Sequence, residues 1–193
     1  MAMGPLIVVS GPAGSGKSTL IERLVAEAGL PLRLSVSATT RKRRPAEVNG
    51  LHYHFWDRAR FEKARDRGKF LEWAEVHGKL YGTPRDEVES YRKKGQGVIL
   101  DIDVKGCAQV KELCPDAVSV FIRTSSPAEY EKRLRARGTE SEEEIGRRLR
   151  AAEKELARAN DYDFQIINDD LQAAFNELRQ IVKALFERNA DAR

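Results

Sequence analysis

Pro5-Leu6-Ile7-Val8-Val9-Ser10-Gly11-Pro12-Ala13-Gly14-Ser15-Gly16-Lys17-Ser18-Thr19 decides how the rest of the chain is read. It opens on a short apolar run, the pattern of a strand buried on both faces. It continues with a stretch too rich in glycine for regular structure. Leu20, Ile21, Leu24 and Val25 then return at helical spacing. Strand, glycine loop, helix: the opening unit places the chain in the α/β class.

Within this unit, Gly11-x-x-x-x-Gly16-Lys17-Ser18 completes the phosphate-loop pattern, in the context of strand and helix that the pattern requires. Glycines let backbone N–H groups turn inward toward phosphate oxygens, and a helix starting near Gly16 adds its positive dipole end. Gly11, Pro12, Ala13, Gly14, Ser15, Gly16, Lys17, Ser18 and Thr19 are therefore candidate ligands of a nucleoside triphosphate. Lys17 can reach its β- and γ-phosphates, and the Ser18 hydroxyl is the candidate Mg²⁺ ligand. A companion acid should end a second buried strand. Val98-Ile99-Leu100-Asp101-Ile102-Asp103 offers Asp101 and Asp103, although an aspartate at a strand end also simply starts a turn.

The whole chain has 193 residues, 41% apolar and 33% charged, which suits one domain able to bury a core without disulfides or structural metals. No run approaches the 18 or so apolar residues of a membrane span, and the first residues lack the pattern of a signal peptide. Cys107 and Cys114 are too few and badly spaced for a zinc site; they read as reduced thiols. A cytoplasmic chain is the expectation. Net charge is +4, from 34 basic and 30 acidic residues, a weak pointer to a polyanionic partner.

Further strands are expected at Val98–Leu100, Val118–Ile122 and Phe164–Ile167, separated by helical patterns, as in a parallel sheet with crossover helices. Two segments break that rhythm. Between about Ser37 and Val88 the chain is alternating and aromatic, with Leu51, Tyr53 and Phe55 on one face of an expected strand, which suggests antiparallel structure. Between Ser126 and Asn160 it is helical and highly charged. Ser126-Pro127-Ala128-Glu129 and Ser141-Glu142-Glu143-Glu144 both read as capping boxes. Ile145, Leu149, Ala152 and Leu156 give the second helix only a thin apolar stripe, as in a mobile flap.

The run Arg41-Lys42-Arg43-Arg44 could be a nucleic-acid patch, but beside serines and threonines it also suits one phosphomonoester. Ser37-Ala38-Thr39-Thr40-Arg41 with Arg44, Glu47-Val48-Asn49-Gly50, Tyr53, Phe70-Leu71-Glu72-Trp73-Ala74, Tyr81-Gly82-Thr83 and Leu100-Asp101-Ile102-Asp103 extend the pattern. So do Arg133-Leu134-x-x-Arg137-Gly138-Thr139-Glu140, Arg148-Leu149 and Asn168-Asp169-Asp170. In this order and spacing, over essentially the whole chain, these motifs resemble guanylate kinase.

The resemblance implies a three-layer parallel-sheet core over about 1–36, 89–125 and 160–193. It adds an inserted GMP-binding lobe over about 37–88 and a helical lid over about 126–159. The implied substrates are ATP, carried with Mg²⁺, and GMP, with no nucleic acid, membrane or obligatory protein partner. Glu72 would accept the N1–H and N2–H₂ donors of guanine, and Ser37 and Thr83 would donate to O6. Asp101 and Asp103 would assist at the GMP side, and Arg41, Arg44, Tyr53 and Tyr81 would hold its phosphate. Arg137 and Arg148 would close over the transferring group, with Arg133 on the ATP side and Asn168 bordering the adenine.

Taken singly, the same residues have plainer readings: Glu72 an exposed strand residue, Trp73 core, Tyr53 and Tyr81 packing aromatics. His52, His54 and His77 are assigned no role, and Cys107 and Cys114 a structural one. Arg43 and Ala46 depart from the family pattern, where proline and glycine are common. A non-catalytic scaffold module of this fold, a kinase for a phosphorylated sugar and a nucleic-acid-binding protein are the alternatives. The intact phosphate loop speaks against the first, the guanine-pocket residues against the second, and the third rests on charge alone.

Overall fold

The computed structural model describes residues 3–76, 78–136 and 141–191. Leu6–Ser10 forms β1, every residue of it out of reach of solvent, and Lys17–Glu27 forms α1 directly after the glycine loop. Leu32–Leu34 (β2), Ala38–Thr39 (β3) and His54–Phe55 (β4) follow, then α2 (Arg58–Asp66), β5 (Phe70–Val76), β6 (Lys79–Pro84) and α3 (Arg85–Arg92). Gly97–Asp101 (β7), α4 (Val104–Leu113) and β8 (Val118–Arg123) lead to α5 (Pro127–Ala136) and α6 (Glu142–Leu156). The chain then runs through β9 (Phe164–Ile167) into α7 (Leu171–Asp191).

Five strands make one sheet in the order β2-β7-β1-β8-β9, with every pairing parallel. Side chains alternate across β1, so each face of the sheet has its own core. Ile7 and Val9 pack with Leu20, Ile21 and Leu24 of α1 and with Phe175, Leu178 and Val182 of α7. Leu6 and Val8 pack on the other face with Val88 of α3 and with Cys107 and Val110 of α4. Burial on this scale is worth about 1.5–3 kcal/mol for each large apolar side chain, which is what fixes the three layers. Because the strands are parallel, their carboxyl ends lie along one edge, where ligands of such sheets bind. That edge carries Gly11 after β1, Asp101 at the end of β7 and Asn168 after β9.

A second sheet, ordered β4-β3-β6-β5, covers residues that the sequence reads as alternating and aromatic. β6 pairs antiparallel with both β3 and β5, as expected, whereas β3 and β4 run parallel. The strand expected through Leu51, Tyr53 and Phe55 is shorter than its alternation suggests. Leu51 and His52 lie in a turn, where both backbone N–H groups donate to the carbonyl of Val48, at 3.3 and 3.1 Å. Leu51 is accordingly exposed. A small core of Ala38, Phe61, Phe70 and Leu80 holds this sheet to α2, with the Phe61 and Phe70 rings stacked at 4.4 Å.

Trp73 is not core: it is 38% exposed, with the Arg65 guanidinium 5.2 Å from its ring. Alternation along β5 puts Glu72 on the inward face and Trp73 on the outward one. β2, three residues long and half-buried, carries no alternation that a sequence reading could have used.

The charged segment forms α5 and α6. The box at Ser141 closes as its sequence suggests: the Ser141 hydroxyl accepts from the Glu144 N–H at 3.3 Å, and the Glu144 carboxylate accepts from the Ser141 N–H at 3.1 Å. Ile145 and Ala152 are the buried residues of α6. No helix among the described residues is long and apolar enough to cross a membrane.

Candidate active site

The loop after β1 lines an open cleft of about 320 Å³, walled by Gly11 to Thr19 and Arg148. Gly16 caps α1 with φ 83°, a left-handed conformation, and the cap supplies no side-chain hydrogen bond to the helix N-terminus. A Cβ on Gly16 would run into the side-chain amide of Asn168, and one on Gly11 into the carbonyl of Ile122, so both positions require glycine. The Ser15 hydroxyl is buried without a partner among the described residues. A helix N-terminus without a side-chain cap, a loop that requires glycine at Gly11 and Gly16, and a buried hydroxyl without a partner fit a polyphosphate. No cluster of three or more His, Cys, Asp or Glu among the described residues could hold a metal. The exposed Ser18 hydroxyl at the start of α1 suits a cation that arrives with that phosphate chain.

Lys17 is ion-paired with Asp101, and that pair joins the first cleft to a second one. The second cleft, about 150 Å³, is lined by Ser37, Tyr53, Glu72, Tyr81, Asp101 and Asp103, together with Ala74, Val76, Gly82 and Ile102. Glu72 is 7% exposed. Its Oε1 accepts from the Thr83 hydroxyl at 2.6 Å, and Thr83 lies 3.5 Å from the Ser37 hydroxyl. Burial pushes the Glu72 carboxyl up to about 7, with the Asp103 charge adding to the rise and the Thr83 hydrogen bonds opposing it. A buried carboxylate of this kind is poised to pair with two adjacent N–H donors. Asp103 also caps α4, its Oδ1 accepting from the N–H groups of Lys105 and Gly106 at 3.0 and 2.8 Å.

Tyr53 and Tyr81 line this cleft, whereas Arg41 stands beside Tyr53 and neither Arg41 nor Arg44 is on its walls. Tyr53 and Tyr81 meet edge to face at 6.0 Å, and the Arg41 guanidinium lies 5.5 Å from the Tyr53 ring. Arg41 forks onto Glu47, and Arg44 follows on the same exposed turn. Glu47 is a residue for which sequence reasoning named no role. The signal was present, since it is the only acid between Arg41 and Val48.

Arg133 and Asn168 sit beside the phosphate loop, not on the walls of the first cleft. Asn168 is 2% exposed and donates its side-chain amide to the Ser15 carbonyl at 2.7 Å. Arg133 donates to the Asn168 carbonyl at 2.8 Å and bonds Glu129 at 3.4 Å. Arg148, on α6, reaches the first cleft. Arg137 and His77 lie outside the described residues. His52 closes its own turn by accepting from the Val48 N–H at 3.0 Å, and His54 lies 3.4 Å from Glu87. Cys107 and Cys114 are unpaired with each other, and burial raises both thiols, as befits packing residues.

Known proteins resemble the chain along nearly its whole length. The family model described as guanylate kinase matches residues 3–185. The guanylate kinase of Rubrobacter xylanophilus is 48% identical over 185 residues, covering 96% of this chain and 96% of the relative. That of Carboxydothermus hydrogenoformans is 46% identical over 184 residues, 95% of this chain and 90% of the relative. The crystal structure of guanylate kinase from Anaplasma phagocytophilum superposes with a TM-score of 0.73 at 31% identity, covering 95% of this chain and 86% of that one. A family model that matches nearly the whole chain, and relatives that align with it end to end and are identical at almost half their residues, show that the chain belongs to the guanylate kinase family, whose enzymes phosphorylate GMP with ATP.

Proposed function

We propose that the chain transfers the γ-phosphoryl group of ATP to GMP, and to dGMP, by in-line displacement, giving ADP and GDP or dGDP. The observation that carries this reading is the buried Glu72–Thr83 pair in a cleft joined to the phosphate loop by Lys17 and Asp101. Guanine presents two donors to Glu72 and an acceptor to the Ser37 hydroxyl, and to Thr83 once its single O–H turns away from Glu72. Adenine would turn its N1 lone pair toward the carboxylate, leaving a buried charge unpaired, the mismatch that gives strong discrimination. dGMP keeps the base and phosphate on which these contacts act.

Arg41, Arg44, Tyr53 and Tyr81 would hold the acceptor phosphate. With a second pKa of about 6 that group is largely ionised at neutral pH, so no general base is needed. The barrier is repulsion between two polyanions, and catalysis is positioning and electrostatics. Lys17 would leave Asp101 for the triphosphate. Arg148, with Arg137, would neutralise charge on the transferring group, and Arg133 would act on the ATP side through the loop. Mg²⁺ held by Ser18 would supply charge neutralisation on the β- and γ-phosphates. In this reading the segment about 37–88 is the acceptor lobe and about 126–159 a lid. Their closure on the core would exclude water as a competing acceptor. The cytoplasm, where unpaired thiols stay reduced, is the proposed compartment, with no nucleic acid, membrane or obligatory protein partner.

A coupled assay of ADP release with Mg²⁺, ATP and each of GMP, AMP, CMP and UMP tests the reading. Release that depends on GMP is the expected result; equal rates with AMP, or release indifferent to GMP, would overturn it.

A further inference from the structure

Arg41 is held before any ligand arrives. Its Nη1 donates to Glu47 Oε2 at 2.9 Å and its Nη2 to Oε1 at 2.6 Å, a two-point fork. Nη1 also donates to the Lys42 carbonyl at 2.8 Å, and the Arg41 backbone N–H donates to the Thr39 hydroxyl at 3.1 Å, at the end of β3. Glu47 Oε2 accepts in addition from the Arg44 backbone N–H at 2.8 Å, while the Glu47 N–H donates to the Arg44 carbonyl at 3.0 Å. The Arg43 guanidinium reaches the Glu47 carbonyl at 2.6 Å. One residue thus ties together the turn that carries three arginines.

A guanidinium has five N–H donors. Two go to Glu47 and one to Lys42, which leaves Nε–H and one Nη2–H for a ligand. Hydrogen bonding to Glu47 raises the Arg41 guanidinium above its ordinary value, with burial opposing and Tyr81 adding to the rise. The Arg41 hydrogen bonds, and after them the Arg44 N–H, hold the Glu47 carboxyl down at about 2, so the fork stays ionic across the neutral range. A free carboxylate near a phosphate dianion would repel it. A carboxylate locked against arginine instead removes the rotamer freedom that the arginine would lose on binding.

We infer that Glu47 is a positioning residue for the acceptor phosphate, one that fixes Arg41 and the Arg44 turn in binding geometry without touching substrate. The inference rests on the reading that the second cleft, beside Tyr53, takes the phosphate of GMP. It separates Glu47 from residues that merely stabilise the turn, because its effect must pass through Arg41 and must be felt only by a ligand that carries a phosphate.

Titration of GMP and of guanosine into the wild type, E47Q, R41A and the double variant tests this, with the KM for ATP measured alongside. E47Q is expected to weaken GMP about tenfold and guanosine by no more than about twofold, with the ATP KM unmoved, the size of coupling seen between contacting residues. In the R41A background E47Q is expected to cost no more than about a further twofold. Equal weakening of GMP and guanosine, loss of guanosine binding through misfolding, no effect at all, or full additivity with R41A would each overturn the positioning role. A wild type that holds GMP no tighter than guanosine overturns the phosphate-site reading itself, which keeps the two failures apart.

Discussion

The side-chain amide of Asn168 donates to the Ser15 carbonyl at 2.7 Å, so the residue after the last strand braces the phosphate loop that follows the first. Asn168 is fixed in turn: its N–H donates to the Arg123 carbonyl at 2.7 Å, and its carbonyl accepts from Arg133 at 2.8 Å. N168A leaves a buried carbonyl unpaired, a cost of about 1–3 kcal/mol. The ATP KM is expected to rise about tenfold, with GMP affinity unchanged. An unchanged ATP KM, measured by steady-state kinetics, would show that the brace does nothing for the loop.

Gly16 is the point where loop and brace touch. G16A asks an alanine to hold φ 83° and puts a methyl group into Asn168. ATP binding followed by calorimetry is expected to be lost while GMP still binds; normal ATP affinity would contradict the close approach.

Lys17 and Arg148 bring positive charge to the walls of the first cleft, and Lys17 is paired with Asp101. Removal of one such electrostatic donor typically costs about 10²–10³ in kcat. K17A is expected to lose at least that much turnover while keeping its fold by circular dichroism. Near-normal turnover would remove Lys17 from the chemistry.

Glu72 makes a prediction with a sign. Its carboxyl is raised to about 7 from an ordinary 4.5, chiefly by burial, so the folded chain holds a proton there that the unfolded chain releases. That contribution to stability is full below about 4.5 and is lost as the pH rises through about 7. E72Q keeps an oxygen for Thr83 without the buried charge, and is expected to melt higher than wild type at pH 8 but not at pH 5. Guanine binding needs the ionised form, so guanosine affinity is expected to fall below about pH 7 in the wild type. In E72Q it should be weak and flat with pH, and the preference for GMP over AMP should be lost. A pH-independent guanosine affinity in the wild type would remove Glu72 from the base site.

Arg148 stands on a helix anchored by few buried side chains, Ile145 and Ala152. R148A is expected to lower kcat about 10²-fold, with the KM for GMP within about threefold, the pattern of a contact made only in the transition state. An equal loss in KM with kcat preserved would place Arg148 in ground-state binding instead.

The core was legible because its physics is local. Four of the five strands of the parallel sheet are short apolar runs, and the phosphate loop is a fixed spacing between a strand and a helix. β2 was not legible, since Leu32–Leu34 becomes a strand only by pairing with β7. The turn at Val48–His52 shortened the expected strand through Leu51, Tyr53 and Phe55 to His54–Phe55, since the N–H groups of Leu51 and His52 bond the Val48 carbonyl instead of a neighbouring strand. Glu72 and Trp73 show the same limit. Which of two neighbours faces the cleft depends on the register of β5 against β6, and no single stretch of chain carries that. The brace of Asn168 on Ser15 joins residues 153 positions apart and has no local signature.

The central claim is that the phosphoryl group passes from ATP to the phosphate of GMP. Incubating the chain with Mg²⁺, GMP and ATP labelled at the γ-phosphorus, and then separating the products, tests it most directly. The account predicts label in the β-phosphate of GDP, in step with ADP. Label released as inorganic phosphate, with GMP recovered unchanged, would contradict it.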